Sequence, residues 1–488
     1  MRGGFATVHS ACPATLGESV AGAGVSRYLQ AMDTRVLAPI LAVLGTGICL
    51  ASAGTVRAPA RADEASETIA VSAVTRVALE PDDPTRMASS TCAANPTAND
   101  PEYVLAAAAP IPSQKAKPDV CPWCKGDAEA MAKAGVVSHG PVPIATWTSD
   151  QLVTRLPASQ WIVLETAHLR FASSLPAIEV ELADQARVQA ELDRLRAVLP
   201  NVPAKVKKLD PWLRLHLIAM KSEEFHARFQ KLIGVTDADF PESRQHDKPY
   251  MGDGKFLGEK DKFEIVLHAN RATHNLFTKD FCGAEVTGAL RWHFPKVHKM
   301  LASIPCEDPD LKKDKTLYPH VVHNLSHLFF CAYKHFSYDP PTWIDEGIAL
   351  AMEKEIDPRA ATNEGEEGSF VDRVAPPNWG EEVRKMIGRG RQKSLAELMY
   401  VKETGAMDPD ALYTSWSMTR FLIEEHPEKL ATILGGLKGQ LDANGIPTGD
   451  DLPGLQRRLF KDVGGWTPQS FDEQWKAWAT RPPPPPAK

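Results

Sequence analysis

The stretch YPHVVHNLSHLFFCAYKHFSYDPPTWIDEGIALAMEKEI, residues 318–356, constrains the fold more than any other. Tyr318 to Tyr333 reads as one helix, the Pro340-Pro341 pair breaks the chain, and a second helix is expected after it. Helical positions four apart share a face, so His323 and His327 can aim their imidazoles at one point. Glu346 falls nineteen residues after His327, on the second helix. With the two helices side by side, two neutral imidazoles and a carboxylate give zinc three ligands and leave a fourth position for water. The competing reading is a core histidine pair beside Leu325, Phe329 and Phe330, satisfied by backbone carbonyls.

The neighbouring letters make the pattern specific. His323-x-x-x-His327, the gap to Glu346, and Trp343, Gly347 and Ala349 around it resemble the gluzincin metallopeptidases, whose signature is HExxH, eighteen residues, then a glutamate within W-x-x-E-G-x-A. This resemblance implies an α+β, zincin-like domain of the peptidase-MA type, with a mixed sheet, an active-site helix pair and a helical C-terminal part. It also implies zinc on His323, His327 and Glu346. The chain departs from the family at Asn324, which stands where the general base belongs. An amide accepts no proton at neutral pH, and positioned proton transfer is worth about 10²- to 10⁴-fold in rate. The resemblance therefore implies a metal site without its ordinary peptidase mechanism.

Three nearby residues carry alternatives. His320, one turn before His323, is an alternative ligand, a substitute base or second partner, or a surface histidine near the helix start. Asp345 can orient a ligand histidine or form a near capping box with Thr342 as the cap; we take it as the cap. Tyr413 lies at about the distance after the glutamate where aminopeptidase-type gluzincins place an oxyanion-stabilising tyrosine; burial with Trp416 accounts for it equally.

A second motif is CPWCK, Cys121 to Lys125. It is read as a thiol redox pair, half of a structural zinc site, or a c-type haem attachment with lysine replacing the usual histidine. No second CxxC partners it and no strand precedes it, so a local disulfide or small knuckle pinning the N-terminal edge is preferred.

Composition bounds the rest. Charged residues make up 24% and the formal net charge is −7, which gives no basic field for nucleic acid. From Met32 the chain reads as an export signal: a charged start, an uncharged run between Arg35 and Arg57, and small-residue cleavage candidates at Ala51-Ser52-Ala53 and Ala60-Arg61-Ala62. The alternative is an N-terminal membrane anchor, since the run approaches the roughly 20 residues that span a bilayer. Export to the periplasm or beyond suits the even cysteine set outside the leader, Cys92, Cys121, Cys124, Cys282, Cys306 and Cys331, whose connectivity stays open.

Five regions follow. Residues 1–62 are an N-terminal extension with the signal, 63–118 a disordered Ala/Pro-rich linker, 119–160 a CxxC-containing edge, 161–480 the gluzincin-like domain, and 481–488 a polyproline tail. Within the domain, strands are expected over Gln160–Ser174 and Lys262–Ala269 and helices over Asp184–Pro200, Leu209–Gly234 and Asn270–Phe281. The leading functional reading is an exported, zinc-binding, metallopeptidase-like protein that binds peptides or cell-envelope components and no nucleic acid. An active zinc hydrolase with a different base, such as His320, is the second. A redox or haem protein built on Cys121 and Cys124 is the third.

Overall fold

Two short apolar runs, Ile162–Glu165 (β1) and Leu169–Ser173 (β2), open the central sheet of this computed structural model. The structure describes residues 120–482 apart from 157–159, 284, 361 and 363–377; the expected signal, the linker and residues 483–488 of the polyproline tail lie outside the described residues. The single strand expected over Gln160–Ser174 is a hairpin. Thr166 makes the turn, its amide donating to the Leu169 carbonyl at 2.8 Å while its Oγ1 accepts from the Leu169 amide at 3.2 Å.

The remaining strands of this sheet are Phe263–His268 (β3), Leu290–Phe294 (β4) and Lys299–Pro305 (β5). Their order across the sheet is β1-β2-β3-β5-β4. β2, β3 and β5 run parallel, and β1 and β4 pair antiparallel at the two edges. β3 and β5 are buried along their whole length, as strands covered on both faces must be.

Helices cover the sheet. Ala128–Lys133 (α1) precedes it, Gln185–Val198 (α2) and Pro211–Ile233 (α3) follow the hairpin, and Arg271–Cys282 (α4) follows β3. After β5 come Asp314–Ala332 (α5) and Thr342–Ile356 (α6), the pair that carries the histidine motif and Glu346. The chain is helical from there: Trp379–Gly388 (α7), Pro409–Glu425 (α8), Pro427–Leu437 (α9), Leu452–Leu459 (α10) and Pro468–Ala479 (α11). Among the described residues no helix is long and apolar enough to cross a membrane.

Local chemistry sets where the key helices begin and what they touch. α3 starts at Pro211 because Asp210 caps it, its carboxylate accepting from the Trp212 and Leu213 amides. The motif helix starts at Asp314, four residues before the expected Tyr318. Buried Arg214 of α3 grips the Asp314 carboxylate at 2.6 Å, and an acidic first turn suits the helix dipole. Pro319 therefore lies inside the helix, where it removes one backbone donor. Phe329 anchors α5 in the core, with ring centroids of Phe225, Phe229 and Phe263 at 5.7, 5.4 and 4.8 Å. Trp343, fully buried, starts α6 and donates to Gln456 of α10 at 2.8 Å.

Candidate metal centre

Packing of α5 against α6 brings the three expected ligands together. The Nε2 atoms of His323 and His327 lie 3.1 Å apart, and an Oε2 of Glu346 lies 3.5 Å from His327 Nε2. His323, His327 and Glu346 form one of the described residues' groups able to hold a metal ion; His320 and Tyr413 stand outside it.

α6 and α8 approach closely because Gly347 lacks a side chain. A Cβ there would stand 2.2 Å from Thr419 Oγ1 and 2.8 Å from the Ser415 carbonyl oxygen, both on α8. The glycine beside Glu346 thus lets α8 lie directly against α6.

The outward nitrogens of both imidazoles meet carboxylates. His327 Nδ1 lies 2.8 Å from Asp345 Oδ2, and His323 Nδ1 lies 3.3 Å from Glu353 Oε2. A ring nitrogen facing a carboxylate carries the proton, so each Nε2 presents its lone pair inward. Two lone pairs and a carboxylate oxygen then face one point. A proton can bridge two of these donors, whereas a metal ion satisfies all three, so the donor set fits a divalent cation. Glu353 is fully buried, which by itself pushes its carboxyl up, but His323 and Thr362 outweigh burial and hold it below the usual carboxylate range.

Asp345 is thus not the expected cap. α6 has no side-chain cap at its start, and the carboxylate turns onto the ligand histidine. Glu353 went unread in the sequence, although it stands seven residues after Glu346, two helical turns along the same face.

Asn324 and His320 form a separate polar layer. Asn324 Oδ1 accepts from Arg291 Nη1 of edge strand β4 at 3.1 Å, and its Nδ2 donates to the His320 carbonyl at 3.0 Å and lies 3.3 Å from His320 Nε2. His320 Nδ1 lies 3.3 Å from Thr362 Oγ1. His320 is only 5% exposed and sits in the second turn of the helix, which corrects its reading as a surface residue. Tyr413 sets its ring edge-on to Trp379 of α7 at 4.7 Å, and Trp416 meets the same indole at 5.5 Å.

Cys121 and Cys124 also depart from expectation. Both are free, with sulfurs 3.3 Å apart where a disulfide requires about 2.05 Å. His139 and His216, neither singled out in the sequence, stand against them. A third group, His168, Glu223 and His226, is of another kind: His168 faces Glu223 through Nδ1 at 2.7 Å and Asp237 through Nε2 at 3.1 Å. With a carboxylate on each ring nitrogen it is built to be a charged histidine rather than a ligand. No protein-family model matches the chain, and the comparison with curated proteins found no match.

Proposed function

We propose that this protein is an exported, gluzincin-like zinc-binding protein that keeps the metal site and has given up the peptidase's base, acting by binding peptides or cell-envelope components. The mixed sheet with its two antiparallel edge strands, followed by the helix pair and a helical C-terminal part, supports the zincin-like reading of the fold. His323, His327 and Glu346 would hold the zinc, with Asp345 and Glu353 fixing the two imidazoles. Zinc bound there would supply a Lewis acid able to polarise a carbonyl and to lower the pKa of water toward about 7.

The observation that carries the proposal is the state of Asn324. Its amide oxygen is taken by Arg291 and its amide nitrogen by the His320 carbonyl, so neither end is available to move a proton. The same contact argues against His320 as substitute base, because the Asn324 amide donates toward its Nε2. The site is also shielded from bulk solvent: His323, Asn324 and His327 are 0% exposed and Glu346 4%.

Arg291 gives the test its sharp form. A glutamate at position 324 would face a guanidinium, which lowers a carboxyl pKa by about 1–3 units and weakens it as a base. Zinc-loaded wild type is expected to show no peptidase activity on a mixed peptide library, and Asn324→Glu little. Asn324→Glu combined with Arg291→Met is expected to exceed Asn324→Glu alone by about 10-fold or more. Metal-dependent cleavage by the wild type, abolished by Glu346→Ala, would overturn the proposal.

A further inference from the structure

The thiols of Cys121 and Cys124 stand in a turn just ahead of α1. Lys125 donates its amide to the Cys121 carbonyl at 2.8 Å, and Lys125 and Gly126 both adopt left-handed backbone, at φ 53° and 71°. This reverses the chain after the second cysteine and leaves both sulfurs on the inside, where they are 0% and 1% exposed. Two imidazoles close over them, His139 from fifteen residues after Cys124 and His216 from a distant part of the chain. Cys121 Sγ lies 3.2 Å from His216 Nε2, Cys124 Sγ lies 3.6 Å from the same atom, and Cys124 Sγ lies 3.4 Å from His139 Nε2.

These separations trace a tetrahedron around one ion. Zinc bonds of about 2.3 Å to sulfur and 2.0–2.1 Å to nitrogen give tetrahedral edges of about 3.8 Å between sulfurs and 3.5 Å from sulfur to nitrogen. The four donor atoms all lie within 4.8 Å of one another. We infer that Cys121, Cys124, His139 and His216 form a second, structural zinc site, in which two thiolates and two neutral imidazoles close the coordination shell. Tetrahedral S2N2 chemistry selects zinc over harder divalent ions, and binding releases the two thiol protons. A closed shell leaves no position for a substrate.

The site is pinned to the body of the fold. His216 belongs to the first turns of α3, the helix that packs on β1 and β2, and the Trp212 ring stands edge-on to His139 at 5.1 Å. Trp123, between the two cysteines, donates to Asp210, the same carboxylate that caps α3. A metal here ties the first described residues to that helix, the role expected above of a disulfide.

Elemental analysis and cobalt substitution of the full chain test the inference independently of the α5–α6 site. Cobalt is expected to produce a near-ultraviolet thiolate charge-transfer band that persists in His327→Ala and Glu346→Ala and vanishes in Cys121→Ser/Cys124→Ser. Zinc content is expected to fall by one per chain in the cysteine variant, whether or not the α5–α6 site is loaded. If that variant fails to fold, the wild type still decides: the thiols should resist a thiol reagent until a chelator is added. A charge-transfer band that never appears, thiols equally reactive with and without chelator, or a Cys121–Cys124 disulfide in protein prepared without reductant would each overturn the inference.

Discussion

The two candidate metal centres are built in opposite ways. In the α5–α6 centre two ligands lie four residues apart on one helix and the third on the next, so the spacing is written in the sequence. In the Cys/His centre the ligands run from Cys121 to His216, joined only because the turn folds onto the start of α3. The first has three protein donors and carboxylates behind its imidazoles; the second has four donors and a closed shell. The difference teaches that an open site needs fixed orientation, whereas a closed site needs only four donors at the right distance. It also places their risks differently, because the helix centre holds buried carboxylates that lose their partners if a ligand is removed.

That asymmetry gives the largest expected effect. His323→Ala takes the imidazole from the fully buried Glu353, which keeps the Thr362 amide, and losing a hydrogen bond to a buried charge costs about 1.5–3 kcal/mol. Adding Glu353→Leu should restore part of the loss in a denaturant titration. A double variant no more stable than His323→Ala would show that Glu353 is held by other groups.

Next is the close approach of α6 to α8. Gly347→Ala forces a methyl group onto Thr419 and the Ser415 carbonyl, and overpacking of this kind costs about 1–3 kcal/mol. Because Glu346 is the adjacent residue, zinc affinity at this centre should weaken as well, while the thiolate band of the Cys/His centre stays unchanged. Equal weakening at both centres would mean that α6 does not act locally.

A narrower effect is expected from Asp345→Asn. The amide keeps the shape and loses the charge behind His327, so metal affinity should fall about 10- to 100-fold with little change in melting temperature. Competition with a chromophoric chelator reads this directly. Unaltered affinity would return Asp345 to a purely structural role.

The smallest effect belongs to the histidine that is no ligand. Burial lowers the pKa of His168, but Glu223 and Asp237 outweigh it and raise the value above normal. Burial likewise pushes Glu223 up, yet the hydrogen bonds of His168 and Thr166 hold it down to about 2. The histidine's contribution is therefore complete below its unfolded value of about 6.5 and is lost as pH rises through the raised folded value. The carboxylate's contribution is complete above about 4.3 and is lost as pH falls toward 2. His168→Gln should cost about 1–2 kcal/mol near pH 5–6 and less at pH 9. A cost independent of pH would mean that the pair is not charged.

What the sequence made legible follows the same division. Helices such as α3 and α5 were readable from their length and apolar content, although α5 is buried all round from Leu317 to Ala332, and the ligand triad followed from helical spacing. β4 and β5 went unread: in LRWHFPKVHKMLASIP both faces are covered, so no alternation shows, and Arg291, His293 and Lys299 interrupt the apolar run. The β1–β2 turn was hidden because Thr166 makes it with no glycine or proline to mark it. Asp345 was misread because a carboxylate three residues after a threonine looks the same as a cap until the neighbouring helix is placed. His139, fifteen residues after Cys124, stands at a zinc-like spacing from the CxxC but lacks a second histidine three to five residues on, and His216 carried no local signal, since its partnership with the cysteines exists only in the folded chain.

We propose above all that α5 and α6 hold a metal without the means to use it for peptide cleavage. The most direct test is elemental analysis of the full chain, purified without chelator and supplied with zinc, beside the His327→Ala and Glu346→Ala variants, with the cysteine variant as a reference for the other centre. Each ligand variant is expected to lose one zinc per chain relative to wild type, and the loss is expected to appear in the cysteine-variant background as well. Identical zinc content in wild type, His327→Ala and Glu346→Ala would contradict it, leaving the helix pair as a packed histidine core.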